Sequence, residues 1–474
     1  MSSAKTNYIT LIYIVVVSAL GGFLFGFDSG VISGCEKAIQ GEYSLSDWNL
    51  GFTVSVALIG TVIGAFGIGR PCDLMGRKLT LVVMAVLYLV SAVGCAFAPD
   101  WITLVVMRFI GGIAIGGSSV VVPLYIVEIA PGPVRGRLVA MNQLNIVFGI
   151  VISYVSNYYI AQAIDARNVV WTSCEQFANF FVSAPMAAES IKWRLMLGVE
   201  AFPAIGFFFL LFTIPESPRW LVRYKQSQKA QAILEKIGDP NAPETIRNIE
   251  HSLANASGSE NVPLFQKKYL YAIFLAWSVA MFNQLSGINA INYYAPRIFE
   301  NFMGSSSALA ATIGLGCVNL TFTLAAFFFI DRFGRRALLM FGALGTTLMH
   351  FLAAWQISLG KEANPYVAIG AILGFIAFFA ISQGAVIWVF ISEIFPNAVR
   401  AKGQALGSFT HWFMCTIISW GFPVVAGLSP SSGSYAFAFF GCMTMLQFFF
   451  AWRLMPETKG GTIETLQDRL NMSA

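Results

Sequence analysis

Asp73-Leu74-Met75-Gly76-Arg77-Lys78 recurs later in the chain, charges in register, as Asp331-Arg332-Phe333-Gly334-Arg335-Arg336. Two further charged motifs return in the same order. Glu128 and Arg135 reappear as Glu393 and Arg400, and Pro215-Glu216-Ser217-Pro218-Arg219 reappears as Pro456-Glu457-Thr458-Lys459-Gly460. The sequence between these motifs is dominated by apolar residues, so the second half repeats the first as a hydrophobic scaffold whose charges are confined to a few connections. Internal repeats of apolar segments mark membrane proteins that work by moving one half against the other.

The composition identifies the solvent. Of 474 residues, 57% are hydrophobic and 11% charged, with a mean hydropathy of +0.68, against about a quarter charged in a soluble domain. About twelve stretches reach the roughly 18 apolar residues that a spanning helix needs, and they take up about half the chain. That leaves short connections and no room for a soluble catalytic domain. The expected fold class is an all-α membrane protein, with twelve transmembrane helices in two pseudo-symmetric six-helix bundles plus a cytoplasmic helical linker. The boundaries read from the sequence are 1–214 for the N-terminal bundle, 215–266 for the linker, 267–455 for the C-terminal bundle and 456–474 for a cytoplasmic tail. The first apolar run is too long for a signal-peptide core and lacks a following cleavage site, so it reads as a retained helix.

Net charge is +5. With the N terminus inside, most of the 29 Lys and Arg share its side; only Lys37, Arg167, Lys192, Arg194, Arg297 and Lys361 fall opposite, and Arg108 falls within a span. This asymmetry puts both termini in the cytoplasm. Short termini and a short first external loop fit a multi-pass protein of the cell membrane, of the bacterial inner-membrane kind, with a eukaryotic plasma membrane as the alternative. The basic balance calls for no nucleic-acid partner, and the lipid bilayer accounts for it. The 7 Cys are scattered singly with no CxxC and no His at ligand spacing, so neither a metal site nor any cofactor is expected. Cys35 and Cys174, if both external, leave one bridge open.

Glycines at Gly60 and Gly64, and in Gly111-Gly112 with Gly116-Gly117, read as faces where helices approach closely. A phosphate-binding loop would need a preceding strand, and none is readable. Pro215 to Gln266 is polar, and Ala230, Ile233, Leu234 and Ile237 mark an amphipathic helix within Ser227–Ile237. The segment 163–192 reads as a solvated outer cover.

Each Asp-x-x-Gly-Arg run sits in a tight connection where Gly supplies the turn and the cations face the anionic inner leaflet. Topology alone is one reading. The other is a cytoplasmic gate, made of Asp73, Arg77, Glu128, Arg135, Glu216 and Arg219 in the first copy and Asp331, Arg335, Glu393, Arg400 and Glu457 in the second. Such groups pair when the inner side is closed and part when it opens. Exposed pairs contribute only about 0–1 kcal/mol each, so several together bias an equilibrium without locking it.

RPCDLMGRK, RFIGGIAIGG, PLYIVEIAPGPVRGRL, PESPRW, NQLSGINAINYYAP, DRFGRR, WVFISEIFPNAVR and PETKG follow one another across nearly the whole chain. In this order they resemble the sugar porter family of the major facilitator superfamily. The resemblance implies twelve helices in two bundles, a neutral monosaccharide bound at mid-membrane between them, and alternating access by rocking. A monomer suffices for that cycle, and the oligomeric state stays open.

The halves differ at two places. Asp28 lies in GFLFGFDSGVISG, within the first apolar stretch, where a carboxylate costs roughly 2.5–3.5 kcal/mol. Arg108, in the fourth stretch, is its natural partner. A static pair that orients helices is one reading; a carrier for a co-transported proton is the other, because burial and Arg108 pull the carboxyl in opposite directions. In the resembling family an acid at this place accompanies proton coupling, which favours symport over a passive uniporter.

In the second half, Asn283, Gln284, Asn289 and Asn292, with Tyr293 and Tyr294, are set around a break at Gly287. Amides both donate and accept without a charge, which suits sugar hydroxyls. Trp388 offers an aromatic face to a sugar ring, with Trp412 nearby, and Phe25 joins the substrate set from the first stretch. By the resemblance, Gln284, Asn289, Tyr293, Asn319, Gly384, Trp388 and His411 fall where the family contacts sugar, a hexose being the leading candidate. Asn283, Ile150, His411 and Ala385 depart from the family pattern. Losing Gln at 150 removes a hydroxyl partner; His411 is open between sugar ligand, titrating group and packed residue. Lacking Pro at 385, helix ten should break less sharply. A signalling sugar receptor would need a longer tail. An enzyme would need clustered catalytic groups, and with only 3 His and no intramembrane carboxylate pair read from the sequence, none is expected.

Overall fold

The computed structural model of the chain describes residues 8–166, 188–239, 241–256, 262–396, 398–429 and 432–459. Among these, all regular elements are helices, and 12 stretches are long and apolar enough to cross a membrane. In hydrocarbon the backbone must satisfy its own hydrogen bonds, and within one segment only a helix does so. Cys174, Arg167 and most of the expected outer cover lie outside the described residues, as do Gly460 and Arg469 and the side chain of Asp331. Cys35 is buried, its thiol directed at the carbonyls of Val31 at 3.3 Å and Trp193 at 3.7 Å.

Three spans are interrupted. The sixth, Ala188–Leu211, turns at Val199 and Glu200 between helices Ala188–Gly198 and Ala201–Leu211. The seventh, Lys267–Glu300, breaks at Gly287, whose φ of 78° is left-handed. A side chain there would collide with the Phe440 ring as well, so only glycine fits on both counts. The tenth, Pro365–Glu393, breaks at Ser382 (φ −121°, ψ −86°). Absence of Pro at 385 therefore does not spare this helix: Ser382 Oγ donates to the Phe378 carbonyl at 2.5 Å, and such back-bonding bends a helix by itself.

The chain divides into two compact units, one drawn from residues 1–29, 59–153 and 194–261, the other from 30–58, 154–193 and 262–474. In the first unit, a Cβ on Gly60, Gly64 or Gly116 would strike the backbone of the facing helix. Spans two and four are thus in backbone contact, as small-residue faces allow. The linker adds three helices to this unit, Pro218–Arg223, Ser227–Lys236 and Ala242–Ala256. Ala230, Leu234 and Ile237 are buried in one core with Ala242 and Ile246. The amphipathic stretch thus has a protein partner, the helix Ala242–Ala256, which its own periodicity does not reveal.

The second unit joins the C-terminal half to the last turns of spans one and five and the first turns of span two. Tyr154 donates to the Asn292 carbonyl at 3.1 Å, and Trp420 Nε1 donates to the Trp48 carbonyl at 3.2 Å with their rings 4.9 Å apart. Glu36, just past the first span, is 1% exposed and meets Arg297 Nε at 2.9 Å and Nη2 at 2.8 Å. Lys37 reaches Glu300 at 2.6 Å beside it.

Candidate functional site

The duplicated motifs fold into duplicated clusters, one per unit. In the first, Gly76 (φ 93°) ends the short helix Gly69–Met75 and aims the next backbone N–H groups at Glu216. Arg77 N donates to Glu216 Oε1 at 3.0 Å and Lys78 N to Oε2 at 3.1 Å. The Arg77 guanidinium grips Glu128 with both prongs, at 2.8 and 2.9 Å, and reaches Asp73 at 3.2 Å. Ser217 Oγ closes the ring on Glu128 at 2.5 Å. In the second, Gly334 (φ 86°) presents Arg335 N and Arg336 N to Glu457 at 2.9 and 3.0 Å. Arg335 grips Glu393 at 2.8 and 3.2 Å, and Thr458 takes the place of Ser217 at 2.5 Å.

The other charged positions keep different company. Arg135 and Arg400 each turn back to a carbonyl of their own loop, Ala130 and Phe395, at 3.3 Å. Arg219 lies 3.5 Å from Ser252 Oγ in the linker. The repeated Glu-to-Arg spacing therefore does not pair Glu128 with Arg135, or Glu393 with Arg400, in this conformation; the Arg of the preceding turn holds each Glu. Burial pushes the Glu216 carboxyl above its usual range in spite of its N–H donors. Burial acts the same way on Glu457, but donors from Lys459, Arg335, Arg336 and Thr458 outweigh it and leave that carboxyl below the usual range.

In the interior of the first unit, Asp28 (5% exposed) lies 3.1 Å from Arg108 Nη1 (3% exposed). Glu200, also 3% exposed, is a neighbour of this pair, and its Oε1 has no hydrogen-bond partner among the described residues. Two buried carboxyl groups side by side repel when both are ionised, and one guanidinium balances one of them. This corrects the expectation that no carboxylate pair exists in the membrane. Glu200 sits at the turn in span six, where the chain interruption brings it to Asp28. The sequence signal was there, a lone carboxylate between Leu197-Gly198-Val199 and Ala201-Phe202, but nothing in the sequence named its partner.

In the second unit the break at Gly287 puts Gln284 and Asn289 on consecutive helix pieces, and Asn289 Nδ2 donates to Gln284 Oε1 at 2.7 Å. Gln284 Nε2 lies 3.1 Å from Asn283 Oδ1 and 3.2 Å from the His411 ring nitrogens. Asn283 Nδ2 reaches the Gln383 carbonyl at 3.4 Å. The Trp388 ring, 36% exposed, stands 4.9 Å from His411, and Trp412 lies edge-on to His411 at the same spacing. Asn283, Gln284, His411, Trp388 and Trp412 therefore form one neighbourhood. Tyr293 is buried near Cys415, Asn319 accepts from Thr323 at 3.4 Å, and Gly384 follows the break of span ten. Phe25 belongs to the first unit and packs on its core. Gln383 went unread in the sequence: it is 1% exposed and neither atom of its amide has a hydrogen-bond partner among the described residues.

A duplicated helical membrane protein with an ion cluster in one unit and a row of uncharged amides in the other has the parts of a secondary transporter. The family described as Sugar (and other) transporter matches residues 14–470. The chain is 35% identical over 493 residues to the D-xylose-proton symporter of Escherichia coli K12, covering 96% of this chain and 94% of that protein. It is 32% identical over 480 residues to the glucose transport protein of Synechocystis, covering 98% of each. The inward-open conformation of the xylose transporter of Escherichia coli matches with a TM-score of 0.82 at 34% identity, over 97% of this chain and 99% of that one. The chain belongs to the sugar porter family of the major facilitator superfamily, and is a multi-pass membrane transporter rather than an enzyme.

Proposed function

We propose that the protein imports a neutral monosaccharide together with a proton, by alternating access of two six-helix bundles spanning 1–214 and 267–455 about the linker 215–266. Its termini lie in the cytoplasm and its membrane is the bacterial inner membrane. The observation that carries this reading is the buried cluster of Asp28, Arg108 and Glu200. A carboxylate at this depth is costly, and a proton shared between two carboxyls beside one guanidinium is a load that a change in their spacing takes up or releases. Gln284, Asn289, Asn283 and His411, with the Trp388 face, supply donors, acceptors and an apolar platform for a sugar, and no charge that would select an ion. Names of relatives support the class and divide on the sugar, one carrying D-xylose and another glucose. A hexose is the substrate proposed. The charge clusters act as the cytoplasmic gate, each held within its own bundle.

Purified protein in unbuffered liposomes tests this. Adding the transported hexose, chosen from a competition panel, should draw protons inward with the sugar and alkalinise the medium. Sugar entry with no pH change would leave a facilitated uniporter in its place.

A further inference from the structure

We infer that His350 is a positioning residue that braces the break in span seven and so sets the spacing of the amides on either side of it. The inference rests on the reading of those amides as the sugar site. His350 belongs to span nine, Arg335–Ser358, and is fully buried, yet nothing in the proton or sugar chemistry above uses it. Its Nε2 lies 2.9 Å from the carbonyl of Ser286. A carbonyl only accepts, so Nε2 carries the proton and donates.

That carbonyl needs the donor. Ser286 precedes Gly287, whose left-handed φ of 78° ends one helix and starts the next. Around the break, Ser286 N bonds back to Phe282 and Gly287 N to Gln284, while Ile291 N bonds to Gly287; no backbone N–H among the described residues reaches the Ser286 carbonyl. An orphan carbonyl in the interior of a membrane protein is costly, and the imidazole satisfies it from another span. The ring is itself held by Phe375 at 4.2 Å, Phe437 at 5.8 Å and Phe440 at 5.9 Å between centroids. Phe440 is the same ring that stands over Gly287. His350 Nδ1 has no hydrogen-bond partner among the described residues, so the Ser286 bond and the aromatic box orient the side chain. Gln284 lies just before the break and Asn289 just after, joined by the 2.7 Å bond. A brace at Ser286 therefore fixes the pair's separation without touching a sugar.

The test compares His350→Gln with His350→Met, flexible side chains of similar length of which only Gln donates a hydrogen bond. Amide hydrogen exchange across residues 284–291 of the whole transporter in nanodiscs should rise about tenfold in the Met variant and stay near wild type in the Gln variant. Sugar uptake should show a KM raised about tenfold by Met, with the maximal rate nearly kept, and restored by Gln. Equal exchange in wild type and both variants overturns the brace. Faster exchange with an unchanged KM keeps the brace and overturns its link to the amides. If wild type carries no sugar at all, the proposed function fails, and the exchange comparison still decides the brace.

Discussion

Asp28 has a cation and a second acid for neighbours, Arg108 at 3.1 Å and Glu200 at the turn in span six. If the proton resides between the carboxyls, Glu200→Gln removes one of the two sites that hold it, while leaving the Asp28–Arg108 pair. Gradient-driven accumulation of sugar should then fall by about tenfold, equivalent to about 1.4 kcal/mol, while sugar-for-sugar exchange across the membrane continues. Accumulation at wild-type level across the pH range would remove Glu200 from the coupling. Asp28 and Arg108 were legible in the sequence because a charge in an apolar stretch has a cost that demands a reason. Glu200 carries the same cost; what the sequence lacks is the turn at Val199 and Glu200 that faces it to Asp28. The amides Gln284 and Asn289 were legible as a set, since the glycine between them announces a break. Their link to His411 depends on span eleven packing against span seven, which no local pattern encodes.

At the scale of elements, the spans themselves were readable from hydropathy, and their interruptions only in part. Gly287 signals its own break. Ser382 does not, because a serine in a helix is common and becomes a break only where its hydroxyl bonds back to Phe378. The short helix Glu36–Glu42 carries a consequence for pH. Glu36 faces Arg297, Glu300 and Tyr294 from span seven and Lys37 from its own helix, and Gln40 accepts from the same Arg297. Burial raises its carboxyl from 4.5 to about 7, and Arg297 offsets this only partly. A raised acid binds its proton more tightly in the buried arrangement than in water. This arrangement is therefore favoured at acid pH, relative to any conformation that opens Glu36 to solvent, and that advantage is lost as pH rises through about 7. Trp48 and Trp420, their rings tilted against each other 4.9 Å apart in the same unit, report it: their fluorescence should show a transition near neutrality that Glu36→Gln abolishes. A transition that survives Glu36→Gln would assign it to another group.

The whole molecule is a duplication in which the frame was kept and the contents diverged. Arg77 with Glu128 and Arg335 with Glu393 repeat each other's geometry, and so do Glu216 and Glu457 under the backbone N–H groups that follow Gly76 and Gly334. The repeat was the clearest statement in the sequence, and the structure shows its mechanical sense: a left-handed glycine turns two N–H groups onto a carboxylate in each copy. Which charges pair was not legible, because Arg135 and Arg400 repeat as faithfully as Arg77 and Arg335 yet bond to their own loops. The copies part at an acid cluster in one and a row of amides in the other, which is where the proposed function puts proton coupling and sugar binding. The division of labour makes one demand above others, that the buried acid and not the sugar site ties transport to the proton. Proteoliposomes holding Asp28→Asn, under an inward proton gradient, measure it directly. The variant should equilibrate sugar but not concentrate it; a variant that still concentrates sugar contradicts the account.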